Sequence, residues 1–227
     1  MIPWTLLDTA TVPDGGGELR LMRRGTEFSI RLGQNELMNS RVSGSEQALA
    51  RIACEKIRSR KSPRILIGGL GMGFTLRAAL ASLGTDAVII VAELIPTVVK
   101  WAKGPMAEVF GESLADPRVR MVEADVGRLI RSDQTFDAIL LDVDNGPEGL
   151  TRKANDALYN LDGLHAAHAR LAPGGVLAVW SARPDVNFHR RLREVGFAVD
   201  EHRVRASASR GGARHVIWIA SRPSGGH

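Results

Sequence analysis

The chain has 227 residues, 44% of them apolar and 24% charged, an ordinary balance for a globular protein large enough to bury a sizeable core. Its formal charge of +5 is carried mostly by arginines scattered along the chain. No apolar run approaches the roughly 20 residues that span a bilayer, and Met1–Asp8 lacks a basic stretch followed by a long apolar one, so neither a membrane span nor a secretion signal is expected.

In chain order, residues 1–43 read as a small N-terminal β-hairpin region. Its Leu- and Ile-bearing segments are separated by the turn residues Asp14–Gly17 and Arg24-Gly25. The spacing of Ala48, Leu49, Ile52, Ala53 and Ile57 predicts a helix from Ser45 to Arg60, with Ser45 as its N-cap. Cys54, the single cysteine, lies in this helix and cannot form an internal disulfide. It reads as a small buried residue with no base beside it, in keeping with a reducing, cytoplasmic setting.

Residues 44–222 read as one domain. From Pro63 short apolar runs alternate with helix-length segments. The runs are Arg64–Gly68, Ala87–Ala92, Arg118–Val122, Phe136–Leu141 and Gly175–Trp180. The helical segments are Thr75–Leu83, Pro96–Phe110, Val126–Arg131 and Leu158–Leu171, the last stopped by Pro173-Gly174-Gly175. Continuous apolar strands suit a sheet covered on both faces, and the alternation predicts a Rossmann-like, doubly wound, mostly parallel sheet. Phe197–Arg205 and His215–Ala220 read as an antiparallel hairpin at one edge. Arg203, Arg205, Arg210 and Arg214 make this the most basic stretch. A solvated hairpin tip is the simplest reading, and without aromatic or recognition-helix support no nucleic-acid binding is expected.

The residues that carry chemistry fall at strand ends. Ile65–Phe74 leaves a strand and opens a helix through Gly69-x-Gly71-x-Gly73. Glycines at this turn let the backbone approach a ligand closely. A dinucleotide fingerprint needs Gly or Ala at position 74, where this chain has Phe74. The loop is instead similar to the nucleoside loop of S-adenosylmethionine-dependent enzymes. Glu93 ends the second strand, placed to accept both ribose hydroxyls. Asp125 follows the third strand and can take an adenine amino group or cap the helix at Val126. After the fourth strand, Asp142 and Asp144 can hold a cationic amine or take its proton; Asp144-Asn145-Gly146 is also turn chemistry.

On these motifs the chain resembles the spermidine synthase family of aminopropyltransferases from about Leu19 to Ala220. The resemblance rests on Ile67–Gly73, Val91–Pro96, Asp116–Arg120 with Asp125, Phe136–Asp142 and Leu171–Leu177, with Leu37–Arg41 and Ser45-Glu46 matching the N-terminal part. It implies an N-terminal β-hairpin region before a Rossmann-like domain, assembly as a homodimer, and decarboxylated S-adenosylmethionine as donor. It also implies that Glu93 binds ribose, Asp125 binds adenine, Asp142 activates a small-molecule amine acceptor, Glu46 lies at the amine site, and Tyr159 closes over the acceptor. The family's glycine loop carries an aspartate for the aminopropyl ammonium, whereas Leu70, Gly71 and Met72 stand here. Gly44-Ser45 replaces the family's Tyr-His before the glutamate.

Three functions follow. The first is aminopropyl transfer to an amine. The second is methyl transfer from intact S-adenosylmethionine, whose carboxylate a loop aspartate would repel. The third is a non-catalytic nucleoside-binding module. His165 and His168 stand three residues apart without further ligands at suitable spacing, so no metal is expected. His189 reads as a surface residue, and Trp101 and Trp180 both read as core or cavity wall; Trp180, at a strand end, is placed to stack on a substrate.

Overall fold

The computed structural model describes residues 2–143, 147, 153–207 and 213–225. Asp144 and Arg210, singled out above, lie outside them.

Four strands, β1 (Thr5–Thr11), β2 (Glu18–Arg24), β3 (Glu27–Leu32) and β4 (Asn35–Asn39), form an antiparallel meander. The main sheet has seven strands: β5 (Arg64–Gly68), β6 (Val88–Glu93), β7 (Val119–Glu123), β8 (Phe136–Leu141), β9 (Leu171–Ser181), β10 (Ala198–Arg205) and β11 (Arg214–Ser221). Their order is β10-β11-β9-β8-β5-β6-β7, with β11 antiparallel to both of its neighbours and the other adjacent pairs parallel. The chain reverses its direction of travel across the sheet between β5 and β8, which opens a crevice at their carboxyl ends.

Strand periodicity explains why the runs are apolar throughout. Ile65, Ile67, Ile89, Val91, Ala138 and Leu140 face one core. Their neighbours Leu66, Ile90, Ala92, Ile139 and Leu141 face the other. The first core also takes Leu19, Leu21, Phe28 and Ile30 from the meander, so the two sheets share one apolar interior.

Eight helices are described. They are α1 (Gly44–Lys56), α2 (Phe74–Ser82), α3 (Pro96–Lys103), α4 (Ala107–Phe110), α5 (Val126–Ile130), α6 (Lys153–Tyr159), α7 (Leu161–Arg170) and α8 (Val186–Glu194). Several differ from expectation. The helix expected over 96–110 is two helices, because Pro105 lacks an amide hydrogen and disfavours helical backbone at Gly104. The one expected over 158–171 breaks at Asn160, whose side chain accepts from the Gly163 amide at 2.8 Å and starts α7 afresh.

Ser45 is not the N-cap of α1. The helix begins at Gly44, whose amide bonds to the Ala206 carbonyl at 2.8 Å at the end of β10; Ser45 lies fully buried in the first turn. Pro173–Gly175 is not a stop but an irregular stretch inside β9: the register with β8 jumps from Phe136↔Leu171 to Ala138↔Val176. The unexpected α8 buries only Phe188 and Leu192, one helical turn apart, too few apolar positions to mark it.

Candidate functional site

The crevice between the meander and the main sheet is a cavity of about 400 Å³. At one end β5 leads into the glycine loop. Gly69 has φ +89°, and a Cβ there would stand 2.5 Å from the Asp142 carbonyl oxygen, so only glycine fits. Gly69, Leu70, Gly71 and Met72 line the cavity; Gly73 does not. Gly73 has φ +73°, and the Phe110 ring lies 2.4 Å from where its Cβ would be, so that glycine serves helix packing.

Glu93 is 8% exposed and also lines the cavity. Its carboxylate accepts from the Leu70 amide at 3.0 Å and the Ile95 amide at 2.9 Å, tying the end of β6 to the glycine loop. Burial pushes its pKa up, against the pull of those amides. Asp125 lines the same end and caps α5, accepting from the Arg128 amide at 3.3 Å. One oxygen is thus engaged by the helix, so capping and cavity lining coexist.

The other end is built from α1, the residues after β8, and the hairpin. Asp142 accepts from the Thr75 hydroxyl at 2.5 Å. Burial first, then the nearby Glu46 charge, push the Asp142 pKa up to about 7. Glu46 accepts from the Ser45 hydroxyl at 2.7 Å, and burial raises its pKa too. Neither carboxylate has a lysine or arginine paired with it among the described residues. Glu36, a third acid on the wall, is different: it accepts from Ser29 and Asn39 and pairs with Arg41 at 3.4 Å. The wall between the two ends is apolar, with Leu19, Ile30 and Met38 from the meander facing Ile95 and Val98.

No family model matches the chain. Over 150 residues, 62% of the chain, it is 29% identical to a polyamine aminopropyltransferase of Mycobacterium tuberculosis, 28% of whose length is covered. Over 152 residues, 61% of the chain, it is 30% identical to polyamine aminopropyltransferase 2 of Pseudomonas aeruginosa, with 41% of that protein covered. The chain therefore spans less than half the length of these curated relatives. The solved spermidine synthase of Thermotoga maritima superposes with a TM-score of 0.74 over 96% of this chain and 72% of that one, at 17% identity. The chain thus has the fold of a spermidine synthase, and its sequence is similar to those of polyamine aminopropyltransferases. TrmN from Thermus thermophilus matches at a TM-score of 0.57 and 27% identity, covering 78% of this chain and 48% of that one.

In this spermidine-synthase-like chain, Gly69, Gly71, Glu93, Asp125, Asp142 and Glu46 all come to one cavity. Tyr159 does not line it. Its ring is 2% exposed and packs edge-on against Phe188 at 5.7 Å, and its hydroxyl donates to the Val143 carbonyl at 3.4 Å. The tyrosine thus braces the segment after β8 from behind. Trp180 lines the cavity, whereas Trp101 is buried and donates to Asp8 at 2.7 Å. His168 packs on Phe197 at 4.8 Å. Cys54 is buried, and burial pushes its thiol up to about 12. Among the described residues no group of three or more His, Cys, Asp or Glu could hold a metal, and no helix is long and apolar enough to cross a membrane.

Sequence reasoning missed Thr75, Ser45 and His215. Thr75 was findable, as the hydroxyl in the first turn after a glycine loop. His215 was not: it is 170 residues from Ser45 and reaches the site only because β11 pairs beside β9.

Proposed function

We propose that the chain is a transferase moving an aminopropyl group from decarboxylated S-adenosylmethionine to a small amine. The reading is carried by the single cavity that has Glu93 and Asp125 at one end and the unpaired carboxylates Asp142 and Glu46 at the other. The Glu93 oxygens each spend one lone-pair direction on a backbone amide and keep another for a ribose hydroxyl. Asp125 faces the same end for an adenine amino group, and the Gly69–Met72 backbone admits the nucleoside closely. The polyamine aminopropyltransferase names of the relatives support this donor and acceptor class.

The donor supplies a sulfonium, whose carbon–sulfur bond breaks as the acceptor nitrogen bonds to that carbon; the nitrogen loses one proton and methylthioadenosine leaves. Asp142 receives that proton. A carboxylate poised near pH 7 is matched to taking a proton from an amine at neutral pH. The Thr75 hydroxyl fixes which carboxylate oxygen is free. Glu46 orients the acceptor, so that the chain's main contribution is alignment. Asp144, two residues further along the sequence, is the second candidate acid of this reading. A small amine acceptor, a homodimer and a cytoplasmic location complete this reading; sedimentation tests the dimer.

A second reading is methyl transfer from intact S-adenosylmethionine. It is favoured by Leu70 and Met72, apolar and buried where an acid would hold the aminopropyl ammonium. Incubating the protein with each donor and 1,4-diaminobutane separates the two. Aminopropyl transfer releases methylthioadenosine; methyl transfer releases S-adenosylhomocysteine. If neither is released, aminopropyl transfer to this amine is contradicted.

A further inference from the structure

His215 opens the C-terminal strand β11, far in sequence from the glycine loop and the acidic strand ends, yet it lines the same cavity. Its Nδ1 lies 2.8 Å from the Ser45 Oγ, and that hydroxyl donates to Glu46 Oε2 at 2.7 Å. A hydroxyl has one hydrogen, and here it is committed to Glu46. The contact with His215 therefore places the imidazole proton on Nδ1, with Ser45 accepting. The Trp180 ring, edge-on at 4.7 Å, fixes the plane of the imidazole from the side.

The outcome is a relay from the hairpin to an acceptor-site carboxylate, made with hydrogen bonds and no cation. Burial lowers the His215 pKa, so the ring is neutral at neutral pH. The charged groups that line the cavity with it are Glu36 on β4, Glu46 on α1, Glu93 at the end of β6, Asp125 before α5 and Asp142 after β8; on its own hairpin Arg205 and Arg214 are exposed. An arginine or lysine in the place of His215 would hold Glu46 equally well, but would also cancel its charge. A neutral imidazole orients the carboxylate and leaves its charge for whatever enters the cavity.

We propose that His215, acting through Ser45, is a positioning residue that holds Glu46 aimed and un-neutralised for a cationic amine acceptor. The proposal rests on the amine-acceptor reading above. Ser45 is the obligatory intermediary. Its hydroxyl opposes the effect of burial on Glu46, and His215, by donating to that oxygen, leaves the carboxylate as the partner for its one hydrogen.

The test uses the full chain saturated with methylthioadenosine, with 1,4-diaminobutane as probe. Diamine binding is followed by calorimetry from pH 6 to 9, and histidine ¹⁵N chemical shifts report the tautomer. His215→Ala should weaken diamine binding about tenfold, the upper end of what the loss of one neutral hydrogen bond costs. It should also move the acidic limb of the binding profile to higher pH, while methylthioadenosine affinity stays unchanged and certifies the fold. His215→Asn, whose amide can donate from the Nδ1 position, should recover binding to within about threefold of wild type. His215→Lys should lose diamine binding as alanine does, although it can still reach Ser45.

Equal diamine binding and an unmoved pH limb in His215→Ala overturn the proposal, as does an Nε2–H tautomer in the wild type. A wild type that binds methylthioadenosine but no diamine overturns the amine reading instead, and the tautomer then decides separately whether the relay exists.

Discussion

Asp142→Asn should stabilise the protein, and increasingly so as pH rises, while abolishing turnover. The folded chain holds Asp142 near pH 7 against an ordinary value of 3.8. The folded value lies above the unfolded one. The protonated acid therefore stabilises the fold in full below about pH 4, and that contribution is lost as pH rises through about 7. Each pH unit between the two values is worth about 1.4 kcal/mol, so ionising Asp142 costs roughly 4 kcal/mol in all, of which roughly 3 falls between pH 4.5 and 8.5. The amide keeps an oxygen for the Thr75 hydroxyl and cannot ionise. Urea unfolding of both proteins at pH 4.5 and 8.5, at equal m-values, reads this directly. The advantage of the variant should grow by roughly 3 kcal/mol over that range. If the two stabilities run parallel within about 0.5 kcal/mol, Asp142 is an ordinary solvated acid and its assignment as the base fails.

Four further outcomes follow from the same geometry. Glu93→Gln should weaken methylthioadenosine binding by roughly 10²-fold, since charge-assisted hydrogen bonds are worth about 1.5–3 kcal/mol, and should cost about 1–3 kcal/mol of stability because one of the Leu70 and Ile95 amides loses its acceptor; calorimetry and thermal melts separate the two effects. Gly69→Ala should unfold or cripple the protein, because its Cβ would enter the Asp142 carbonyl in a backbone conformation that disfavours side chains, and its melting curve would show this. Leu70→Asp should shift donor preference toward the decarboxylated donor, measured as a ratio of binding constants for the two donors. Cys54 should resist iodoacetamide at pH 8 in the folded protein and react on unfolding, as mass spectrometry of the alkylated chain would record.

The parallel sheet was legible because each of its strands is an apolar run cut off by Gly, Pro or a charged residue. Arg64–Gly68 and Phe136–Leu141 begin and end where expected. The helices were less so. Gly104-Pro105 and Asn160 interrupt patterns that look continuous by composition, and α8 carries two buried side chains in an otherwise polar stretch. In the candidate site, residues at strand ends of the sheet announced themselves, since strand, turn and acid follow one another in sequence. The residues that complete its acceptor end did not. Ser45 looked like a helix cap until the helix start proved to be docked on Ala206, and His215 is one polar residue in a β-strand. Tyr159 shows the converse: a residue expected over the acceptor is instead drawn into the core by Phe188.

The most direct test of the central claim is calorimetric titration with decarboxylated S-adenosylmethionine, S-adenosylmethionine and methylthioadenosine in parallel. The proposed aminopropyl transfer predicts that methylthioadenosine binds and that the decarboxylated donor binds at least about tenfold more tightly than the intact one, a difference of about 1.4 kcal/mol. Preference for intact S-adenosylmethionine would contradict aminopropyl transfer and point to methyl transfer, and failure of all three to bind at millimolar concentration would contradict the nucleoside site itself.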